Sequence, residues 1–212
     1  MGDDRYYSTL AAAFVRGRLG QMPDLSDHEI ISVGLEAGLR LHKFKQNSEL
    51  PRVRRVLGIL KGLVTERHLD IGSGRGTFLW PLLNNFPELT VTSIDKMPQR
   101  VQDTDAVRRG GVARLSACLM DATRLGIRSA NFDTVTVLEV LEHIVNADLV
   151  IKEAIRVCRG YVIASVPSKE DANPEHVHLL SRTRLETSFL QCGARTVSFD
   201  YVPNHMIILA RV

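Results

Sequence analysis

Between residues 67 and 167, short apolar runs alternate with segments of helical length, and this alternation restricts the chain to a few folds. The runs are "RHLDIG", "VTSID", "RLSACLM", "DTVTVLEV" and "YVIASVP"; helix-length stretches lie between them at 76–85, 97–108 and 147–158. Nearly continuous apolar strands are buried on both faces, and strands joined by helices run parallel. The last two runs, "RTVSFDYV" and "MIILARV", are joined only by "PNH". So short a link cannot carry a parallel crossover, so that pair is expected to be antiparallel. The expectation is an α/β sheet, mostly parallel, with helices on both faces.

Residues 1–64 have a different character and read as a helical cap preceding the sheet domain at 65–212. "YYSTLAAAFVRGRL" is helical up to Pro23. "LSDHEIISVGLEAGLRLHKFK" has Ser26 as its N-cap, and "SELPRVRRVLGILKGL" sets Val53, Leu57, Leu60 and Leu63 at helical spacing. The 212 residues suffice for one sizeable core, and a net charge of +3 is too small to imply nucleic acid by itself. Three scattered cysteines, Cys118, Cys158 and Cys192, form no CxxC pair and are expected to be reduced core thiols. The acidic N-terminus carries no signal-peptide pattern and no run reaches membrane-spanning length, so the cytoplasm is expected.

The strongest local signal is "HLDIGSGRGTFLW". A strand ends at Asp70; Gly72, Gly74 and Gly76 then turn the chain into a helix expected near Thr77. Glycines let the backbone bend sharply and approach a ligand, and the helix N-terminus supplies free N–H groups. The spacing is GxGxG, not the GxGxxG of dinucleotide enzymes, and an acid precedes the first glycine. The next strand ends in Asp95, placed to accept from both hydroxyls of a ribose. Asp121 in "LMDATRL" and Glu139 in "VLEV" close the following two strands. Strand C-termini of a parallel sheet converge on one crevice, so Asp70, Asp95, Asp121 and Glu139 are expected around one ligand.

These motifs resemble a class I S-adenosylmethionine-dependent methyltransferase over residues from about 64 to 212. "LDIGSGRG" is similar to that family's cofactor loop, "SID" to its ribose acid, "MDA" to its adenine turn and "VLEVLEHI" to its fourth-strand motif. The resemblance implies a Rossmann-like sheet of seven strands with an antiparallel last strand. It also implies that Asp70, Gly72, Ser73, Gly74, Asp95, Lys96, Asp121, Ala122 and Glu139 surround S-adenosyl-L-methionine. Many relatives carry a proline-glycine-glycine turn before the fifth strand; here "CRGY" stands at that surface turn. A nicotinamide-dependent oxidoreductase and a non-catalytic cofactor-binding module are the competing classes.

"LEVLEHI" places Glu139, Glu142 and His143 at i, i+3, i+4 spacing, which shares one face if the segment is helical. His143 and Glu142 are the candidate catalytic residues for taking a proton from an acceptor hydroxyl. The pattern is also similar to two metal-dependent groups, ubiquinone-pathway O-methyltransferases and small-RNA 3′-terminal ribose 2′-O-methyltransferases. That resemblance implies a divalent ion, Mg²⁺, Mn²⁺ or another, on Glu139, Glu142, His143 and His176. The competing reading is a metal-free pocket in which acid and imidazole touch the substrate. A small-molecule acceptor is expected, with an RNA 3′ end as the alternative. Residues 40–61 hold Arg40, Lys43, Lys45, Arg52, Arg54, Arg55 and Lys61 against Glu49 alone. Such a cluster is either a solvated helix face or a contact for an anionic substrate.

Overall fold

The chain's computed structural model describes residues 6–46, 50–169, 177 and 179–212. The N-terminal part forms α1 (Ser8–Leu19), α2 (Asp27–Glu36), a 3-10 turn (His42–Phe44) and α3 (Pro51–Lys61). Ser26 caps α2 reciprocally: its hydroxyl accepts from the Glu29 N–H, and the Glu29 carboxylate accepts from the Ser26 N–H. The stretch from Leu25 to Lys45, helical in pattern throughout, ends its helix at Glu36. Gly38 is the reason. It adopts φ +77°, and the Leu39 N–H reaches back to the Gly34 carbonyl at 2.9 Å, closing the helix end.

The sheet domain follows as β1 (Arg67–Ile71), α4 (Leu79–Asn85), β2 (Thr90–Asp95), α5 (Pro98–Arg109), β3 (Leu115–Leu119), β4 (Phe132–Leu138), α6 (Ala147–Val157), β5 (Cys158–Pro167), α7 (Arg182–Gln191), β6 (Thr196–Val202) and β7 (His205–Arg211). Seven strands lie in the order β3-β2-β1-β4-β5-β7-β6. All neighbours are parallel except β7, which runs antiparallel to both β5 and β6. This is the Rossmann-like arrangement expected from the alternation and from the three-residue final link.

Two apolar cores sandwich the sheet. One packs α1 to α5 against residues such as Val91, Leu115, Ile163 and Ile207. The other packs α6 and α7 against Leu69, Ile94, Val135, Val162 and Ile208. On β1 and β4 the alternation is cleaner than a continuous apolar run: Leu69, Ile71, Val135 and Val137 face the second core. His68, Asp70, Thr134 and Thr136 have the opposite parity and are buried too.

Where α1 crosses α5, two glycines bring backbones into contact. A methyl on Gly110 would lie 1.7 Å from the Ala13 carbonyl oxygen, and one on Gly17 1.9 Å from that of Ala106. Gly110→Ala is expected to cost about 1–3 kcal/mol through overpacking. A urea midpoint unchanged from the wild type would contradict this contact.

The turn expected at "CRGY" is absent. Helix α6 ends at Val157 and β5 starts at Cys158, whose N–H still caps the helix on the Ala154 carbonyl. Gly160 permits this abrupt entry, since a Cβ there would stand 2.5 Å from the Asp133 oxygen on β4. Among the described residues no helix is long and apolar enough to cross a membrane.

Candidate active site

The glycine loop follows β1 directly. Gly72, Gly74 and Gly76 have φ of +74°, +59° and +85°, a region closed to most side chains. Space is equally restrictive: a Cβ on Gly76 would stand 2.1 Å from the Trp80 indole, and one on Gly72 2.4 Å from Val140 Cγ2. The helix beyond therefore starts at Leu79, two residues later than the expected Thr77. Ser73 faces inward and bonds the Ser93 hydroxyl at 2.5 Å, tying the loop to β2.

Asp95 completes this tether. Its Oδ2 accepts from the Gly74 N–H at 2.9 Å and its Oδ1 from the Met97 N–H at 2.8 Å, while Arg100 Nη1 stands 3.6 Å away. Each carboxylate oxygen keeps a second acceptor site, so Asp95 can hold the loop and a ligand's hydroxyls together.

A crevice of about 520 Å³ opens over these strand ends. Gly72, Asp95, Lys96, Asp121, Ala122, Glu139 and His143 all line it. Asp121 is fixed by a tight turn in which the Thr123 N–H and hydroxyl both donate to Oδ1 at 2.8 Å. Those bonds hold its carboxyl below the usual range. Gly74 and Ser73 contribute through the loop's backbone and anchoring and do not line this crevice. Asp70 is not in the lining either; it is 2% exposed, at the head of a buried polar column.

That column was not singled out from the sequence. Thr65 and Thr134 hydroxyls meet at 2.8 Å; Thr134 meets His68 Nδ1 at 2.7 Å; His68 Nε2 meets Thr136 Oγ1 at 2.8 Å. The Thr136 hydroxyl then donates to Asp70 Oδ1 at 2.7 Å. Burial pushes His68 down to about 3, so its imidazole is neutral, with one ring nitrogen donating and the other accepting. Burial pushes Asp70 up to about 6, against the opposing pull of its hydrogen bonds to Thr136 and Ser73. Its Oδ2 is buried and has no hydrogen-bond partner among the described residues. A buried, unsatisfied carboxylate oxygen beside the glycine loop suits a ligand's ammonium group.

"LEVLEHI" departs from the helical face expected of it. Leu141–His143 forms only a 3-10 turn, and Glu139 takes φ +55°, a conformation rare outside glycine. Glu139 therefore turns across the sheet. Its Oε1 accepts from the Ser165 hydroxyl at 2.6 Å, and its Oε2 meets His205 Nε2 at 2.9 Å and Arg52 Nε at 3.9 Å. Glu142 is 1% exposed, whereas His143 is half-buried and reaches the crevice. Among the described residues no three of His, Cys, Asp or Glu stand together as a metal-binding group. His176 lies outside the described residues, as do His178, Glu175 and Asp171. The Glu139 carboxylate is engaged by Ser165 and His205 in this arrangement. Sequence reasoning named Arg52 only as part of the basic 40–61 cluster and missed Ser165 and His205; the three come from separate elements and carry no local motif.

A mostly parallel sheet with a glycine turn and acids at its strand ends carries a ligand-sized crevice at the strand C-termini. Residues 64–198 match the methyltransferase domain family, and the chain belongs to that family. Solved structures agree in fold. A SAM-dependent methyltransferase from Aquifex aeolicus is similar at 19% identity and TM-score 0.63, over 77% of this chain and 91% of that one. Magnesium protoporphyrin IX methyltransferase from Synechocystis PCC 6803, with bound SAH, is similar at 17% identity and TM-score 0.61, over 76% and 81%. An O-methyltransferase family protein from Burkholderia thailandensis is similar at 15% identity and TM-score 0.61, over 76% and 56%. No curated protein sequence matches the chain.

Proposed function

We propose that this chain is an S-adenosylmethionine-dependent methyltransferase that methylates a hydroxyl of a small molecule. The observation that carries this is the single crevice in which Gly72, Asp95, Asp121 and Glu139 converge, above the buried Asp70 oxygen. In this reading Asp95 accepts from the ribose hydroxyls, the Asp121–Ala122 turn meets the adenine, and Asp70 receives the amino group of the methionine part. Lys96 lies on the adenosine side of the wall. When bound, the cofactor supplies an electrophilic methyl group on a sulfonium. The protein's task is then to align an acceptor with that methyl group and to take its proton.

His143 is the group best placed for the proton, since it reaches the crevice and remains half-buried. Glu142, fully buried one residue earlier, is proposed to position that turn. No step is assigned to a divalent ion. Helices α1 to α3 are proposed as the cap at 1–64, closing the acceptor side through Arg52, which reaches Glu139.

His143→Ala is expected to lower the methyl-transfer rate by about 10²–10⁴, the usual worth of a positioned base. The variant's affinity for S-adenosylhomocysteine should stay within a few-fold of wild type. The decisive assay supplies labelled methyl donor and offers small-metabolite extracts and total RNA in parallel, with and without chelator. Label in RNA alone would overturn the small-molecule reading, and complete loss of activity in chelator would restore the metal.

A further inference from the structure

Beside the cofactor crevice, and sharing Met97 and Arg100 with it, lies a second cavity of about 700 Å³ between the N-terminal helices and the start of α5. Its walls carry Arg18, Arg40, Lys43, Arg75 and Arg100, with His42 alongside, against one carboxylate, Asp103. The excess of permanent cations over acids in this one cavity is larger than the +3 of the whole chain. The rest of the surface is therefore close to balanced, and the imbalance is local.

The wall is built, not incidental. Asp103 binds both Arg18 and Lys43, the latter at 2.5 Å, so one carboxylate anchors two cations and neutralises only one of them. The Lys43 ammonium stands 4.1 Å from the centre of the Phe14 ring, and its side chain is 11% exposed. Burial alone would favour the uncharged amine; the contact with Asp103 opposes that. Arg40 and Arg75 form no ion pair among the described residues. Both are exposed, so water fills their hydrogen bonds in the empty protein, and the two guanidiniums lining one cavity offer ten N–H donors with no protein acceptor. A planar or tetrahedral anion can replace that water with paired, charge-assisted hydrogen bonds. A third cavity of about 300 Å³ continues past His42, Lys43 and Arg75 towards Trp80, so the basic wall borders a groove and not an isolated dent.

We propose that this cavity is an anion-binding subsite that receives a phosphate or carboxylate carried by the methyl acceptor. The assignment rests on the methyltransferase reading above. It narrows the acceptor to an anionic compound whose charged group sits beyond Arg100 while its reacting oxygen enters the crevice at His143. A neutral acceptor would leave the excess positive charge of this wall unmatched.

The test uses inorganic pyrophosphate as probe in calorimetry on the intact chain. Wild type should bind it saturably, with affinity falling as salt rises. Arg40→Glu and, separately, Arg75→Ala should weaken that binding by about tenfold to a hundredfold. Arg40→Glu should leave S-adenosylhomocysteine affinity unchanged, which also shows that the variant is folded. In the labelled-methyl assay, pyrophosphate should compete with the acceptor, and the acceptor activity should be retained on an anion exchanger. Pyrophosphate binding that is absent, equal in the variants, or without effect on transfer would overturn the proposal. An acceptor that flows through the exchanger would do the same. Failure to bind S-adenosylhomocysteine would sink the methyltransferase reading instead, so the two failures are distinguishable.

Discussion

Asp95→Ala is expected to weaken S-adenosylhomocysteine binding by about a hundredfold, because it removes a charge-assisted acceptor for two hydroxyls. The loss has a second source. The same carboxylate holds the Gly74 and Met97 N–H groups, so the variant also frees the glycine loop from β2. Asp95→Asn separates the two. It keeps an acceptor for one backbone donor but places an amide against the other, so it should fall between alanine and wild type. Calorimetry on the three proteins gives the order directly; equal affinities would remove Asp95 from the binding site.

Asp70→Asn is expected to act in opposite directions on stability and binding. With its folded pKa raised from 3.8 to about 6, Asp70 holds its proton more tightly in the folded chain than in the unfolded one. The empty protein should then lose stability as pH rises from about 4 to about 6 and stay at the lower level above that. The full penalty is roughly 3 kcal/mol, because every tenfold difference in proton affinity between folded and unfolded chain contributes about 1.4 kcal/mol. Asparagine keeps an acceptor for Thr136 and abolishes the charge. Its buried amide donor takes back part of the gain, leaving about 1–2 kcal/mol of stabilisation at neutral pH. Cofactor affinity should fall by about a hundredfold, through loss of the anion that meets the amino group. In the wild type, that affinity should drop about tenfold per pH unit below 6, as the carboxylate takes up its proton. A denaturation midpoint that is lower in Asp70→Asn at about pH 7.5, or cofactor affinity that is flat between about pH 5 and 7, would refute this account.

The sheet could be read from the chain because its determinants are local. Apolar runs, their spacing and the three-residue link before β7 each act within a few residues, and each predicted its strand and direction. Of the four strand-end acids expected together from topology alone, Asp95, Asp121 and Glu139 line one crevice, since parallel strands deliver their ends to one edge, while Asp70 is buried and outside its lining. The misreadings have a common origin. Glu139, Glu142 and His143 share a face only in a regular helix, and the left-handed backbone at Glu139 breaks that geometry. Its real partners, Arg52, Ser165 and His205, lie 87, 26 and 66 residues away in sequence. The His68 column was visible in part, as matching parity in "HLD" and "TVT", but pairing of β1 with β4 was needed to bring the two together. The end of α2 at Glu36 was legible in Gly38 and was outweighed by the apolar periodicity that continues past it.

Strand β7 follows β6 in the chain but lies inside it, between β6 and β5. During synthesis β6 therefore emerges with no strand beside it, and β5 keeps an open edge until the final hairpin closes over it. His205 arrives on that same hairpin, so the sheet edge is covered and the Glu139 carboxylate gains its imidazole neighbour in one event. A nascent chain stalled just before residue 205 would expose a long, apolar β5 edge beside a crevice whose acidic rim lacks that neighbour. Such a chain would be prone to aggregate and would be poorly ordered around Glu139. Assembly of the sheet and completion of the pocket are thus timed by the last strand to leave the ribosome among those described.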